Sequence, residues 1–120
     1  MTSPVSLRLP SKIAKKVQTI ATLEQRSVAE TVRVLTEEAI KAREFPDIVI
    51  TGGPTGRRAT FCDGMDVWEV LEPFIVAGKD WSALRESHPD LDEAKLRSAI
   101  RYYKNYPGEI DARIALNQSS

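Results

Sequence analysis

Few residues in this chain are of a type that does chemistry. His88 is the sole histidine, it precedes Pro89 in an expected turn, and no Asp or Cys stands at ligand spacing from it. Cys62, also unique, falls in an expected strand and reads as a small buried apolar residue rather than a nucleophile. Asp66, Glu69 and Glu72 share one side of an expected helix, where acids near a helix start ordinarily serve its dipole. Gly52-Gly53-Pro54-Thr55-Gly56 is dense in turn formers, but Arg57-Arg58 stands where a phosphate-cradling loop needs Lys and Ser or Thr. No catalytic constellation, metal site or cofactor site emerges, and the chain is not expected to be an enzyme. The remaining chemistry is cationic: Arg8, Lys12, Lys15 and Lys16 meet no acidic residue until Glu24.

That concentration matters because the whole chain is neutral. Its 120 residues carry 17 Lys and Arg against 17 Asp and Glu, with 42% apolar residues. Such a composition suits a folded chain of one ordinary domain or two very small ones. No stretch approaches the ~18 uninterrupted apolar residues of a membrane helix, so no membrane association is expected. The start of the chain lacks the basic run and apolar core of a signal peptide, and one cysteine builds no disulfide framework within a chain. Both point to the cytoplasm. Evenly spread neutral charge would argue against a nucleic-acid partner. The charge is uneven, however: residues 1–44 hold eight basic and five acidic residues, giving +3, and the remainder carries −3.

Elements must position these charges. Val5, Leu7 and Leu9 alternate with Ser6 and Arg8, the period of a short strand with one apolar face, ended by Pro10. Ser11 offers a cap for a helix to about Leu23, striped by Ile13, Val17, Ile20 and Ala21. Gln25 and Arg26 form a turn. Ser27 and Glu30 make a reciprocal capping box for a second helix to about Arg43, with Val28, Val32, Leu35, Ala39 and Ile40 on its apolar side and a Glu37–Lys41 pair facing solvent. A lone strand has no ladder partner, and so short a unit buries little apolar surface. Pairing two copies through Val5–Leu9 answers both difficulties.

This pattern resembles the ribbon-helix-helix repressors, such as Arc, MetJ and CopG, on Ser-Leu-Arg-Leu-Pro (Ser6 to Pro10), the helix Lys12 to Leu23, and Arg26-Ser27 opening the second helix. The resemblance implies a homodimer whose outward ribbon side chains enter the major groove of double-stranded operator DNA, while the second helix start holds a phosphate. Carried over, Ser6 and Arg8 read bases, Pro4 lies at the ribbon edge, and Ser27 with the following amides takes the phosphate; the basic Lys12 and Arg26 are further DNA-binding candidates. The chemistry agrees: a two-stranded ribbon fits the major groove, Arg pairs bidentately with guanine, and free amides at a helix start bind anions. Pro4 has neither a backbone donor nor a polar tip, which leaves two reading side chains per chain. The plainer alternative is an edge strand beside a solvated basic helix face.

Phe45-Pro46-Asp47 reads as a short linker. Ile48–Ile50 and Ala59–Cys62 then suggest a hairpin. Asp66 is expected to cap a helix with Val67, Val70, Leu71 and Phe74 on its apolar face and Pro73 interrupting it. Asp80 and Asp92 cap two further helices separated by His88-Pro89. The second carries Leu96, Ala99, Ile100 and Tyr103; Ile110 and Ile114 mark a last segment before a polar, frayed tail from Asn117. The helix from Asp92 to Lys104 could serve as a second DNA reader, but Asp90, Asp92 and Glu93 crowd the turn that would face bases.

Gly53 to Ala59, Asp66 to Val70, Ala99 to Tyr103 and Tyr106 to Ile114 resemble a small helix-rich domain found in antitoxins encoded beside PIN-type ribonuclease toxins, similar to the VapB partners of VapC. The resemblance implies toxin binding. Trp68, Trp81, Tyr102, Tyr103 and Tyr106 are candidate anchors, each of which could instead fill a small core. Arg57, Arg58 and Arg113 are candidates to reach the acidic metal site of such a nuclease. The expected fold is mainly α with short β: a ribbon-helix-helix dimerisation domain over residues 1–44, then a small helix-turn-helix-like domain with a β-hairpin over residues 45–120. The expected function is a type II antitoxin that represses its own operator and neutralises a toxin; a plain ribbon-helix-helix repressor with a ligand-sensing or oligomerising C-terminal domain is the alternative.

Overall fold

A computed structural model describes residues 4–52 and 56–119. The described chain is mainly helical with one two-stranded antiparallel sheet, and it divides into two compact units, Met1–Ile40 and Lys41–Ser120.

In the first unit, α1 spans Ser11–Glu24. Pro10 occupies the cap position instead of Ser11: its extended ψ of 145° stops the helix, and its carbonyl accepts from the Ala14 amide at 2.9 Å. Val17 and Ala21 are buried. Gln25 ends α1 in the left-handed region at φ 56°, and the Arg26 amide closes the turn on the Ala21 carbonyl. A residue with a Cβ is strained there, whereas glycine is not. Gln25→Gly is therefore expected to stabilise the first unit by about 0.5–1 kcal/mol. Far-ultraviolet thermal melts at fixed protein concentration, compared with the parent chain, check this.

α2 spans Val28–Glu44, and its last turn, from Lys41, belongs to the second unit. Half of the expected capping box forms. Ser27 Oγ accepts from the Glu30 amide at 3.1 Å, but Glu30 Oε1 accepts from Arg33 at 2.6 Å, a charged donor that outcompetes a neutral amide. The most buried residue of this helix is the polar Thr31, whose hydroxyl is satisfied by the Ser27 carbonyl at 2.8 Å. Val28 and Ile40, expected on the apolar face, are exposed.

The second unit encloses a continuous core. β1 (Ile48–Thr51) pairs with β2 (Arg58–Phe61) in the register Ile48↔Phe61 to Thr51↔Arg58. The expected turn residues Gly53, Pro54 and Thr55 lie outside the described residues. α3 (Val67–Val76) buries Val67, Val70, Leu71 and Phe74, the face read from the spacing. It runs through Pro73 rather than breaking: the carbonyl deprived of a donor belongs to Glu69, which is exposed and open to water. α4 (Trp81–Ser87) and α5 (Glu93–Asn105) are capped by Asp80 on the Ser82 amide and Asp92 on the Lys95 amide. α6 (Pro107–Gln118) buries Ile110 and Ile114 and continues through Asn117 and Gln118, where a frayed tail was expected. Asn117 Nδ2 donates to Glu72 Oε2 at 3.5 Å, which accounts for part of that extension.

Phe45 is a core residue, 2% exposed, and not part of a solvated linker. It meets Tyr102 edge-on at 5.1 Å between ring centroids and Tyr106 at 6.3 Å. Lys41 lies over the Tyr106 ring at 4.5 Å and bonds Glu109 at 2.8 Å, so the expected Glu37–Lys41 pair does not form and Glu37 pairs with Arg33 at 2.7 Å. The aromatic faces draw the Lys41 ammonium toward the core.

Candidate functional site

Two groups of candidate residues are laid out, one in each unit. In the first, Pro4, Ser6, Arg8 and Lys12 are all exposed, as are Arg26 and Ser27. Residues 4–10 form neither helix nor strand within the chain, so the strand expected at Val5–Leu9 has no ladder here. Val5 and Leu7 are 75% and 65% exposed and Leu9 38%. A strand needs a hydrogen-bonding neighbour, and β1 and β2 use each other. The Val28 and Ala29 amides, as the first of α2, have no intrahelical acceptor. Ser27 Oγ is engaged by the Glu30 amide, and Glu30 is held by Arg33, whose pKa is raised by its hydrogen bonds to Glu30 and Glu37. Arg26 lies 3.9 Å from Glu24, too exposed a pair to carry much energy.

In the second unit the fold separates residues that sequence grouped together. Tyr102 is fully buried and its hydroxyl donates to Glu109; Tyr103 is 9% exposed and its hydroxyl donates to Asp111 at 2.9 Å. Burial withdraws both from any partner that docks on the folded unit. Tyr106, half-buried, donates to Glu44 at 2.6 Å. Trp81 is half-buried with the Arg97 guanidinium 4.8 Å over its ring.

Trp68, Arg57, Arg58 and Arg113 do come together. Arg58 Nε donates to Asp66 Oδ1 at 2.8 Å, which is why Asp66, at the N-cap of α3, makes no side-chain cap. Arg113 Nη2 donates to the Arg57 carbonyl at 3.1 Å, tying α6 to the hairpin. Arg57 turns back onto its own hairpin, with Nη2 3.4 Å from the Ile50 carbonyl. Gly56, at φ 95°, gives the backbone a conformation that other residues rarely adopt at this approach. Arg58, Trp68 and Arg113 line one groove together with Leu116 and Asn117. Asn117 was read as tail and Leu116 was not singled out; their signal is the spacing 113, 116, 117, which puts all three on one helix face.

The remaining reactive types stand apart. His88 is half-buried, with Nε2 3.0 Å from the Val70 carbonyl, a tie between the end of α4 and α3. Cys62 is exposed rather than buried: the ladder ends at Phe61, one residue earlier, and Sγ lies 3.4 Å from the Asp47 carbonyl. Among the described residues no group of three or more His, Cys, Asp and Glu could hold a metal ion. Nor is any described helix long and apolar enough to cross a membrane.

The resolved pKa shifts are structural. Hydrogen bonds from Lys95 and from Arg97 hold Asp63 and Glu93, respectively, below the usual carboxylate range. Burial, aided by Asp111, raises the Tyr103 phenol above its ordinary value of 10.0. The folded chain thus keeps this proton at pH values where the unfolded chain has lost it. The contribution is intact below about pH 10 and declines as pH rises through the folded-state value. Melts between pH 9 and about 11 should show a steeper alkaline loss of stability for the parent chain than for Tyr103→Phe.

No family model matches the chain, and no curated protein or solved structure shows significant similarity to it.

Proposed function

We propose that the chain is a two-part antitoxin and autorepressor. Residues 1–44 act as a ribbon-helix-helix dimer on operator DNA, and residues 45–120 bind a cognate toxin, for which a PIN-type ribonuclease is the expected class. The observation that carries the DNA reading is the exposure of Val5, Leu7 and Leu9 on a segment that is neither helix nor strand and whose alternate residues are Ser6 and Arg8. Three large apolar side chains exposed in a row favour burial against a second copy, which would turn Ser6 and Arg8 outward as a pair of reading strands. The exposed Lys12, Lys15, Lys16 and Arg26 supply sequence-independent attraction to phosphate, and the first amides of α2 supply an anchor. Coupling to a toxin is supported by the second unit's separate core and by its arginine-lined groove.

Two measurements test this reading. Analytical ultracentrifugation should give a dimer of the full chain. Co-expression with the product of the neighbouring reading frame should yield a complex that represses the shared promoter more strongly than the chain alone. A monomer without DNA affinity would refute the first half, and absence of a complex the second. The groove also suits the second reading, a plain repressor with a ligand-sensing C-terminal unit; an isolated gene would favour it.

A further inference from the structure

The groove between β2, the start of α3 and α6 has a volume of about 610 Å³ and combines two kinds of surface. Trp68, half-buried, and Leu116, 56% exposed, form an apolar floor, while Arg58 and Arg113 supply two guanidiniums against the single carboxylate of Asp66. Each guanidinium carries five N–H donors. Arg58 Nε is committed to Asp66 and Arg113 Nη2 to the Arg57 carbonyl, so both forks are fixed in place with donors left over. Arg57, folded onto Ile50, braces the hairpin beneath them.

We infer that this groove docks a segment of a partner protein in which a carboxylate side chain stands next to large apolar ones, the carboxylate bridging Arg58 and Arg113 and the apolar neighbour lying on Trp68 and Leu116. This rests on the partner-binding reading of the second unit and gives that reading a location and a chemistry. Charge complementarity selects the occupant. Among the residues lining the groove two guanidiniums face the one carboxylate of Asp66, while the nearby Glu109 is held by Lys41 and Tyr102 and Glu72 by Asn117, so the lining favours a carboxylate over a basic segment. Arginine and tryptophan, here Arg58, Arg113 and the half-buried Trp68, are among the residue types that carry most binding energy at interfaces. Trp81, Tyr102 and Tyr103 have no part in this contact.

Titration of the full chain with the acetylated, amidated tripeptide Leu-Glu-Phe, followed by nitrogen-15 NMR, tests this without the partner itself. Saturable shifts of the Trp68 indole and the Arg58 and Arg113 Nε–H signals are expected, with the Trp81 indole unmoved as an internal control. The Leu-Gln-Phe tripeptide should bind about tenfold more weakly, the worth of a charge-assisted pair. Arg113→Lys, which keeps the charge but loses the fork, should weaken binding several-fold. Leu116→Glu, at an exposed position that leaves the core untouched, should weaken it at least tenfold. Equal binding of the two tripeptides, absence of saturation, or shifts centred on Trp81 would overturn the groove assignment. Phenylacetate binding as tightly as the tripeptide would also overturn it, marking a small-carboxylate site instead. A complex with the neighbouring gene product that survives Leu116→Glu would place toxin contacts elsewhere and leave the antitoxin reading intact; failure to form any complex counts against that reading and not against the groove.

Discussion

Phe45→Ala should unfold most of the second unit at 37 °C. A buried Phe truncated to Ala costs about 3–5 kcal/mol, a large share of the roughly 5–15 kcal/mol by which a domain is stable. The local setting argues for the upper part of that range. The ring packs edge-on against Tyr102 and Tyr106 and carries Arg101 5.1 Å over its face. Tyr102 in turn holds Glu109, which holds Lys41, while Tyr106 holds Glu44, so the residues that shape this end of the core all rest on one side chain. Both tryptophans of the chain, Trp68 and Trp81, lie in the second unit, so intrinsic fluorescence during urea titration reports on that unit alone. A midpoint within experimental error of the parent chain would mean that Phe45 behaves as a linker residue after all, since exposed substitutions usually stay within about 0.5 kcal/mol.

Arg8→Ala should abolish operator discrimination while leaving stability unchanged. Arg8 is exposed, so its truncation removes no core contact. In the proposed dimer it occurs twice, and each bidentate Arg–guanine pair is worth about 1–3 kcal/mol of discrimination, so affinity for a selected operator should fall roughly 30-fold or more. Lys12→Ala provides the contrast. A phosphate contact is blind to sequence, so its loss should weaken all duplexes alike and flatten the dependence of affinity on salt by about one charge per chain. Fluorescence anisotropy with a duplex selected from a random pool, against a scrambled duplex at two salt concentrations, separates the two effects. Equal loss on both duplexes for Arg8→Ala would move that residue from base reading to backbone contact, and no loss on either would remove the ribbon from the DNA interface.

Much of the second unit was legible in the chain because its determinants are local. Val67, Val70, Leu71 and Phe74 recur at helical spacing and all are buried; Asp80 and Asp92 stand directly before helical runs and both cap them. These depend on residues no more than a few positions apart. Two expectations failed because a more distant residue competed for a group that a local rule had already assigned. Asp66 was assigned to the start of α3, and Arg58, eight residues earlier and brought alongside by the hairpin, takes its carboxylate. Lys41 was assigned to Glu37, and Glu109, 68 residues away, takes its ammonium. Cys62 was placed in a strand by its β-like neighbours, yet the register with Ile48 ends one residue before it.

The candidate sites divide along the same line. The alternation of Val5 to Leu9 and the cluster of basic residues after it were determined by sequence alone, because a two-residue period and a charge count need no folded context. Only the tertiary structure decided which aromatics were available to a partner, enclosing Tyr102 and Tyr103 while leaving Trp68 at a surface. It alone brought Arg58 and Arg113 to one groove. Arg113 fastens to the hairpin through the Arg57 carbonyl, 56 residues earlier in the chain. Such a meeting follows from how α6 packs across the unit, and no spacing within a single element encodes it.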